Sequence, residues 1–280
     1  MNSQKKGLGA WGIILLVMLY TGVLIIAPIL ALIFGAFSEG VAPALKTLGS
    51  SIFLDALWLS LRIALLVVAV QTFLGTIVAW TIVRHNFRGK AFLKSLVDVP
   101  FAMSPVVVGY MLLLLFGRNG FLNPIIEPLG IKVAFATPGI FLATLFVSLP
   151  FMIKEMIPVI ENLDCKQEYA AETLGANSWT IFWRVIFPQL RTALIYGMTL
   201  TFARALGEFG AVLVIGGGIQ GRTETTTMYI FRSLDERHFV EAYTAAILLG
   251  SFSVMIVLIA DWAKRREEKR QSQEETVERV

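Results

Sequence analysis

The chain has 280 residues and a formal net charge of +4; 56% of its residues are hydrophobic and 16% are charged. Soluble domains carry about 45–50% apolar and about 25% charged residues, so this composition is typical of a membrane protein. It excludes a soluble enzyme and a disordered chain.

Long stretches without Asp, Glu, Lys or Arg run through the sequence. A helix needs about 20 mostly apolar residues to cross a bilayer. Five stretches meet this length, and a sixth is interrupted only by Arg204 and Glu208. In chain order they are 7–38, 63–83, 99–117, 133–153, 192–221 and 242–260. The pattern predicts an all-α membrane protein with six transmembrane helices and excludes a protein with a single anchor.

The first stretch follows Lys5 and Lys6, as the core of a signal peptide would. It is far longer than the roughly 7–15 residues of a cleaved signal, so we expect a retained helix. The single cysteine, Cys165, allows no internal disulfide.

Basic residues are distributed unevenly between alternate loops. Of the 24 Lys and Arg residues, 16 lie before the first stretch, in 84–94, in 154–191 and after 261, and 6 lie in the alternate loops. Because Lys and Arg resist translocation, we expect the basic loops and both termini to be cytoplasmic.

The third stretch contains Pro100 and Pro105 near its cytoplasmic end. Two prolines remove two amide donors and bend a helix. The bend is either a kink that helps packing or a broken helix beside a solute path, and the sequence leaves both alternatives open. Pro150 and Pro158 in the fourth stretch allow the same pair of interpretations.

The longest internal cytoplasmic loop, 155–191, predicts two short helices. Residues 164–174 are strong helix formers, and a second helix is expected from Trp179 to Phe187, ending before Pro188. Gly175 separates them, and Asn177 or Ser178 is the expected N-cap.

One apolar stripe lies on this second helix, formed by Trp179, Phe182, Trp183 and Ile186. Two alternatives remain for what covers this apolar stripe. The stripe lies in the membrane interface, or the helix packs on its own bundle and offers its other face to a partner protein.

The string from Glu168 to Ala176 (EYAAETLGA), followed by Pro188-Gln189-Leu190, resembles the loop signature of bacterial ABC importer permeases. That signature is Glu-Ala-Ala, three residues, Gly, and later Leu-Pro; here Tyr169 replaces its Glu and Phe187 its Leu. The resemblance implies the type I importer permease (MetI-like) architecture, in which segment 164–190 couples to a cytoplasmic ATPase. The coupling residues that it implies are Glu168, Ala170, Ala171, Gly175, Ala176 and Pro188.

Two further strings narrow the resemblance. Residues 98–109 (DVPFAMSPVVVG) look most like the W-type subunit of sulfate/thiosulfate permeases, and 204–212 (RALGEFGAV) is also shared with molybdate and tungstate permeases. The likeness covers about residues 50–265. It implies a permease domain over 1–263 that imports sulfate or thiosulfate by alternating access, with molybdate or tungstate as the alternative cargo. We expect 264–280 to be a charged cytoplasmic tail.

The resemblance also implies the partners. They are a cytoplasmic ATPase dimer that binds ATP and Mg, a second permease subunit in a heterodimer or homodimer, and a periplasmic or lipid-anchored sulfate-binding protein on outer loops 117–137 and 217–239. The expected location is the bacterial cytoplasmic membrane, and no nucleic acid is involved.

The sequence has no P-loop motif, so we expect a non-catalytic subunit without a cofactor of its own. An ATPase-independent carrier or channel is the alternative from another class, but it gives no reason for the 164–190 segment.

Arg204 and Glu208 are spaced i, i+4, so they can pair on one helix face. They form either a structural ion pair or part of the solute path, where ionisable residues in membranes are often found. Arg62 either reaches the outer interface or borders the path. The candidate path residues are Arg204, Glu208, Gly207, Ser104, Pro105 and Arg62.

His85 and His238 lie far apart, so we expect no transition-metal site.

Overall fold

The computed structural model describes residues 8–278, and within this range every regular element is helical. Lys5, Lys6 and residues 279–280 lie outside the described range. The helices are α1 (Leu8–Ala36), α2 (Val41–Leu48), α3 (Ser51–Arg84), α4 (Lys90–Ala102), α5 (Pro105–Phe116), α6 (Asn123–Ile126), α7 (Thr137–Glu161), α8 (Cys165–Thr173), α9 (Ser178–Ile181), α10 (Phe187–Leu206), α11 (Gly210–Gly216), α12 (Thr226–Asp235) and α13 (Phe239–Glu278). A 3-10 turn covers Glu127–Leu129 and a π-turn covers Phe182–Ile186.

Four helices, α1, α3, α7 and α13, are long and apolar enough to cross a membrane on their own. Two bent pairs bring the number of candidate spans to six: α4 with α5, and the helix Ser178–Leu206 with α11. The predicted all-α membrane fold is confirmed. The helix α13 continues without a break from the apolar stretch into the charged tail predicted from residue 264.

The third and fifth spans are broken. The axes of α4 and α5 differ by 110° across Met103 and Ser104, and the fifth span bends by 56° between Leu206 and Gly210. With 12 residues, α5 is about 18 Å long at 1.5 Å per residue, less than the roughly 30 Å of a hydrocarbon core. Pro105 therefore marks a broken helix, as in the second interpretation of that motif, whereas Pro100 lies inside α4.

Helices α3, α7 and α10 form the centre of the bundle around the buried side chain of Met152. A Cβ atom placed on Gly75 of α3 would lie 3.0 Å from Met152 Cγ, and one placed on Gly197 of α10 would lie 2.7 Å from Met152 Sδ. Membrane helices associate closely where small residues meet, so these two glycines allow the three backbones to approach.

Candidate functional site

The loop between the fourth and fifth spans contains the predicted helix–turn–helix. Asp164 caps α8 by accepting a hydrogen bond from the Lys166 amide at 2.9 Å, and Gly175 turns the chain with a φ of 84°. Asn177 caps the next helix, since its Oδ1 accepts from the Thr180 amide at 2.8 Å. Of the two expected caps, the structure uses Asn177.

The prediction that the second helix ends before Pro188 is wrong. The Phe187 amide donates to the carbonyl of Phe182, five residues back, which makes a π-turn. Pro188 then falls in the first turn of α10, where a missing amide is tolerated, and Gln189 Nε2 donates to the Val185 carbonyl at 2.8 Å. One continuous helix therefore runs from Ser178 to Leu206.

The apolar stripe of this helix is rotated from the predicted one. Ile181 and Ile186 are buried in the bundle, whereas Trp179 and Trp183 are 70% and 45% exposed. The two tryptophan rings contact each other with centroids 5.7 Å apart. The helix thus packs on its own bundle through the two isoleucines and leaves an aromatic surface outside.

Glu168 faces the bundle, because its carboxylate forms an ion pair with Arg84 at the end of α3. Arg84 Nη1 also donates to Cys165 Sγ at 3.1 Å. Tyr169, in the place of the signature's glutamate, is 65% exposed, and Leu174 is also exposed. The ion pair docks α8 on α3, so the outward face of α8 is presented by Tyr169 and Leu174.

The remaining residues of the predicted coupling set divide into two groups. Ala171 and Ala176 are half-buried against the apolar core at this end of the bundle. Ala170, Gly175 and Pro188 are exposed.

The two broken spans meet at their breaks. A Cβ placed on Gly210 would lie 3.1 Å from Pro105 Cβ, and one placed on Gly109 would lie 2.7 Å from the Ala211 carbonyl oxygen. Helices α5 and α11 therefore pack backbone to backbone, and we call this contact the crossing. It brings Pro105 close to the break at Gly207 and Glu208, and Ser104 is exposed beside it.

Replacing Gly109 by Ala should lower the melting temperature of the purified protein. The added methyl group meets a backbone oxygen that cannot rotate away, and overpacking of this kind costs about 1–3 kcal/mol. Gly250→Ala on α13 is the matched control, because a Cβ there meets nothing within 4 Å. Equal melting temperatures for the two variants in a thermal unfolding assay would contradict close packing at the crossing.

Arg204 and Glu208 form the predicted pair, with Arg204 Nη2 2.8 Å from Glu208 Oε2 but without hydrogen-bond alignment. The side chain of Glu208 is 2% exposed and that of Arg204 is 28% exposed. The other carboxylate oxygen, Oε1, accepts from the Ala211 amide at 3.0 Å. Glu208 thus also satisfies an orphan amide at the start of α11, a role that the sequence argument missed although an acidic residue stands just before the new apolar run.

The predicted outer loop 217–239 is partly inside the bundle. Residues 223–226 are buried, the Thr226 amide donates to Ser60 Oγ at 2.8 Å, and Thr227 Oγ1 donates to the Glu208 carbonyl at 2.7 Å. These hydroxyl contacts join the start of α12 to α3 and to the crossing. Residues 223–226 therefore cannot form a docking surface for another protein, which corrects that part of the prediction.

A cluster of polar side chains surrounds α12, at the end of the bundle where α3 begins. Glu224 accepts from Arg232 Nε at 2.6 Å, and this hydrogen bond raises the pKa of Arg232. Burial raises the pKa of Tyr229, and its hydroxyl lies 3.2 Å from Glu241 Oε2. The cluster fixes α12 against the first turn of α13.

Arg62 does not line the crossing. Its guanidinium carbon lies 5.8 Å from the centre of the Trp58 ring, in a groove that Arg222 also lines. Among the described residues, no group of three or more His, Cys, Asp or Glu side chains could hold a metal ion.

Over residues 71–273 the sequence matches the family model described as binding-protein-dependent transport system inner membrane component. The chain belongs to this family. It is therefore a multi-pass permease subunit of an ABC transporter, as the loop signature implied.

Named relatives of the permease include two sulfate transporters. It is 45% identical over 242 residues to sulfate permease 2, chloroplastic, of Chlamydomonas reinhardtii, covering 86% of this chain and 66% of that protein, just under two thirds. It is 43% identical over 256 residues to the sulfate transport system permease protein CysW of Synechococcus elongatus, covering 91% of this chain and 90% of that protein.

The fold of the permease is also found in a solved structure of a bacterial alginate ABC transporter in complex with an alginate pentasaccharide-bound periplasmic protein. The TM-score is 0.75 at 18% identity, with 91% of this chain and 93% of that chain covered. At this identity the likeness establishes the fold of the permease and nothing about its cargo.

Proposed function

We propose that this permease imports sulfate or thiosulfate by alternating access, in the bacterial cytoplasmic membrane. The observation that carries the proposal is the 43% identity to a sulfate transport system permease over nine tenths of both chains. Molybdate or tungstate is the second candidate cargo, because string 204–212 is similar to permeases for those ions as well.

The energy for transport comes from a separate ATPase dimer, which holds the ATP and Mg, and this chain itself is not an enzyme. Support comes from α8, whose outward face presents Tyr169 and Leu174. A partner of this kind also accounts for the exposed aromatic surface at Trp179 and Trp183. Both termini are cytoplasmic, on the same side as α8, because the basic loops lie on that side.

A second permease subunit, in a heterodimer or a homodimer, completes the path. The apolar side chains of α1 are exposed on nearly every face, and α1 packs within this chain chiefly against α13. A periplasmic or lipid-anchored sulfate-binding protein delivers the cargo to the outer surface. For that docking we retain 117–137, where Phe121 and Leu129 are exposed, and the exposed ends of 217–239.

The path runs past the crossing, where Arg204 attracts the oxyanion and Glu208 keeps the ion from binding too tightly. Ser104, Pro105 and Gly207 border the same place. A partly exposed guanidinium beside a carboxylate provides a weak positive potential. A weak potential attracts the oxyanion without retaining it.

Uptake of radiolabelled sulfate in cells with and without the gene tests the proposed cargo. We expect uptake to depend on the gene and to be inhibited more strongly by unlabelled thiosulfate than by molybdate. Unchanged sulfate uptake after deletion would contradict the proposal. Gene-dependent molybdate or tungstate uptake in the same cells would then favour the second cargo.

A further inference from the structure

A groove of about 440 Å³ lies on α3, at the end of the bundle opposite the α8 helix. Its walls come from α3, the first residue of α7 and the loop between α11 and α12. The charged and polar side chains that line it are Asp55, Trp58, Arg62, Thr137, Arg222 and Glu224. The groove is distinct from the crossing, because neither Arg204 nor Glu208 lines it.

The two arginines of the groove have no carboxylate partner of their own among the described residues. Arg62 and Arg222 make no ion pair with a carboxylate in the described part of the chain. Glu224 is paired with Arg232, which donates to both of its oxygens at 2.6 and 3.3 Å and also to Glu236 at 3.0 Å. Asp55 is therefore the remaining carboxylate, set against two guanidinium groups.

The side chain of Arg62 is exposed at the outer part of α3. Arg62 immediately precedes the charge-free stretch 63–83, so it lies where the apolar part of α3 begins. Long basic side chains near the end of a membrane helix extend to the interface, where anions and water can reach them. The guanidinium carbon of Arg62 lies 5.8 Å from the centre of the Trp58 ring, a cation–π contact that orients the group.

Arg222 reaches the same groove from the other wall. It follows Gly221, whose φ of 73° turns the loop after α11, and its amide donates to the Ile219 carbonyl at 3.0 Å. The backbone of Arg222 is thus anchored while its side chain lines the groove. Two guanidinium groups on opposite walls match a tetrahedral oxyanion, since each presents a planar fork of donors.

We propose that Arg62 and Arg222 together form an outer binding site for a tetrahedral oxyanion. The free ion that the permease transports is one source of this ligand, and in that respect the inference rests on the proposed function. The phosphate of a phospholipid headgroup has the same chemistry and is the other source. Asp55 limits the net charge of the site, so that a bound ion can leave it again.

The test is equilibrium binding of radiolabelled sulfate, and separately of inorganic phosphate, to the purified permease complex in two kinds of bilayer disc. One disc contains phospholipid and the other a phosphate-free galactolipid. The variants are Arg62→Gln, Arg222→Gln and the double substitution. Lys46→Gln is the control, because it removes an exposed cation near the same end of α3 but outside the groove.

Each single substitution should weaken anion binding at least about tenfold, which corresponds to roughly 1.4 kcal/mol and is close to the lower end of what a hydrogen bond to a charged group contributes. The double variant should weaken it by less than the product of the two, because both arginines hold one ion. Lys46→Gln should leave the affinity unchanged.

The two sources give different results. Equal binding in both bilayers assigns the site to the free ion. Binding that occurs only in galactolipid assigns it to a phospholipid headgroup that otherwise occupies the groove. Anion affinity that is the same in wild type and in both arginine variants, in both bilayers, would overturn the site.

Sulfate uptake by the same complex in proteoliposomes separates this failure from that of the proposed function. Uptake together with arginine-independent binding refutes only the outer site. Absence of sulfate uptake, with inorganic phosphate still bound through the two arginines, refutes only the cargo.

Discussion

Replacement of Gly175 by Val should reduce sulfate uptake to background while the protein still inserts in the membrane and the ATPase still hydrolyses ATP. Gly175 has a φ of 84°, and a left-handed backbone costs a non-glycine residue roughly 1–2 kcal/mol, with branched side chains the least tolerant. A Cβ at this position meets nothing within 4 Å, so the backbone alone accounts for the strain. The strain is relieved by opening the turn between α8 and α9, which removes α8 from its place on α3.

Gly89→Val is the matched control for this experiment. Gly89 has a φ of 102° and equally open surroundings, but it lies in the preceding loop on the same side of the bundle. We expect Gly89→Val to retain most uptake and Gly175→Asn to recover part of it, because asparagine tolerates the left-handed region. If Gly175→Val transports sulfate as well as Gly89→Val, segment 164–190 is not the coupling element.

The double substitution Arg204→Met with Glu208→Gln should give a stable permease that does not transport. Removing Arg204 alone leaves the buried Glu208 carboxylate without its cation, and breaking a buried pair costs about 3–5 kcal/mol. A glutamine at 208 removes that charge and still has an oxygen to accept the Ala211 amide. Stability should therefore return in the double variant while the attraction for the oxyanion does not.

Thermal unfolding and sulfate uptake of the two variants decide between a structural pair and a path residue. We expect Arg204→Met to be destabilised and inactive, and the double variant to be stable and inactive. A stable double variant with wild-type uptake would show that the pair is structural only. Exchanging the two residues does not separate these alternatives, because an arginine at 208 has no oxygen for the Ala211 amide.

The features that could be predicted from sequence are those with local causes. The six candidate spans follow from the charge-free stretches, since the cost of burying a charge in hydrocarbon acts residue by residue. The α8 turn follows from Gly175 and Asn177, whose backbone preference and capping oxygen operate within a few residues.

The features that sequence reasoning missed depend on contacts between distant residues or on competition between rules. The Thr226 amide and Ser60 lie 166 residues apart, and no periodicity signals that they meet. A proline normally ends the helix that precedes it. Here the π-turn before Pro188 places the proline in the first turn of α10, where its missing amide costs little. The position of Arg62 and Arg222 in one groove likewise depends on contacts between distant parts of the chain.

The continuous helix from Ser178 to Leu206 has a mechanical consequence. At 1.5 Å per residue this helix is about 43 Å long. Its N-terminal end carries Trp179, and its C-terminal end meets the break at Gly207. A rod that pivots near one end converts a tilt of about 5° into a displacement of roughly 4 Å at the other, by the same length estimate. That displacement is delivered next to Glu208 without passing through a loop that could absorb it. On the proposed function, a tilt of this helix at its Trp179 end would therefore move the chain at the Gly207 break, beside Glu208.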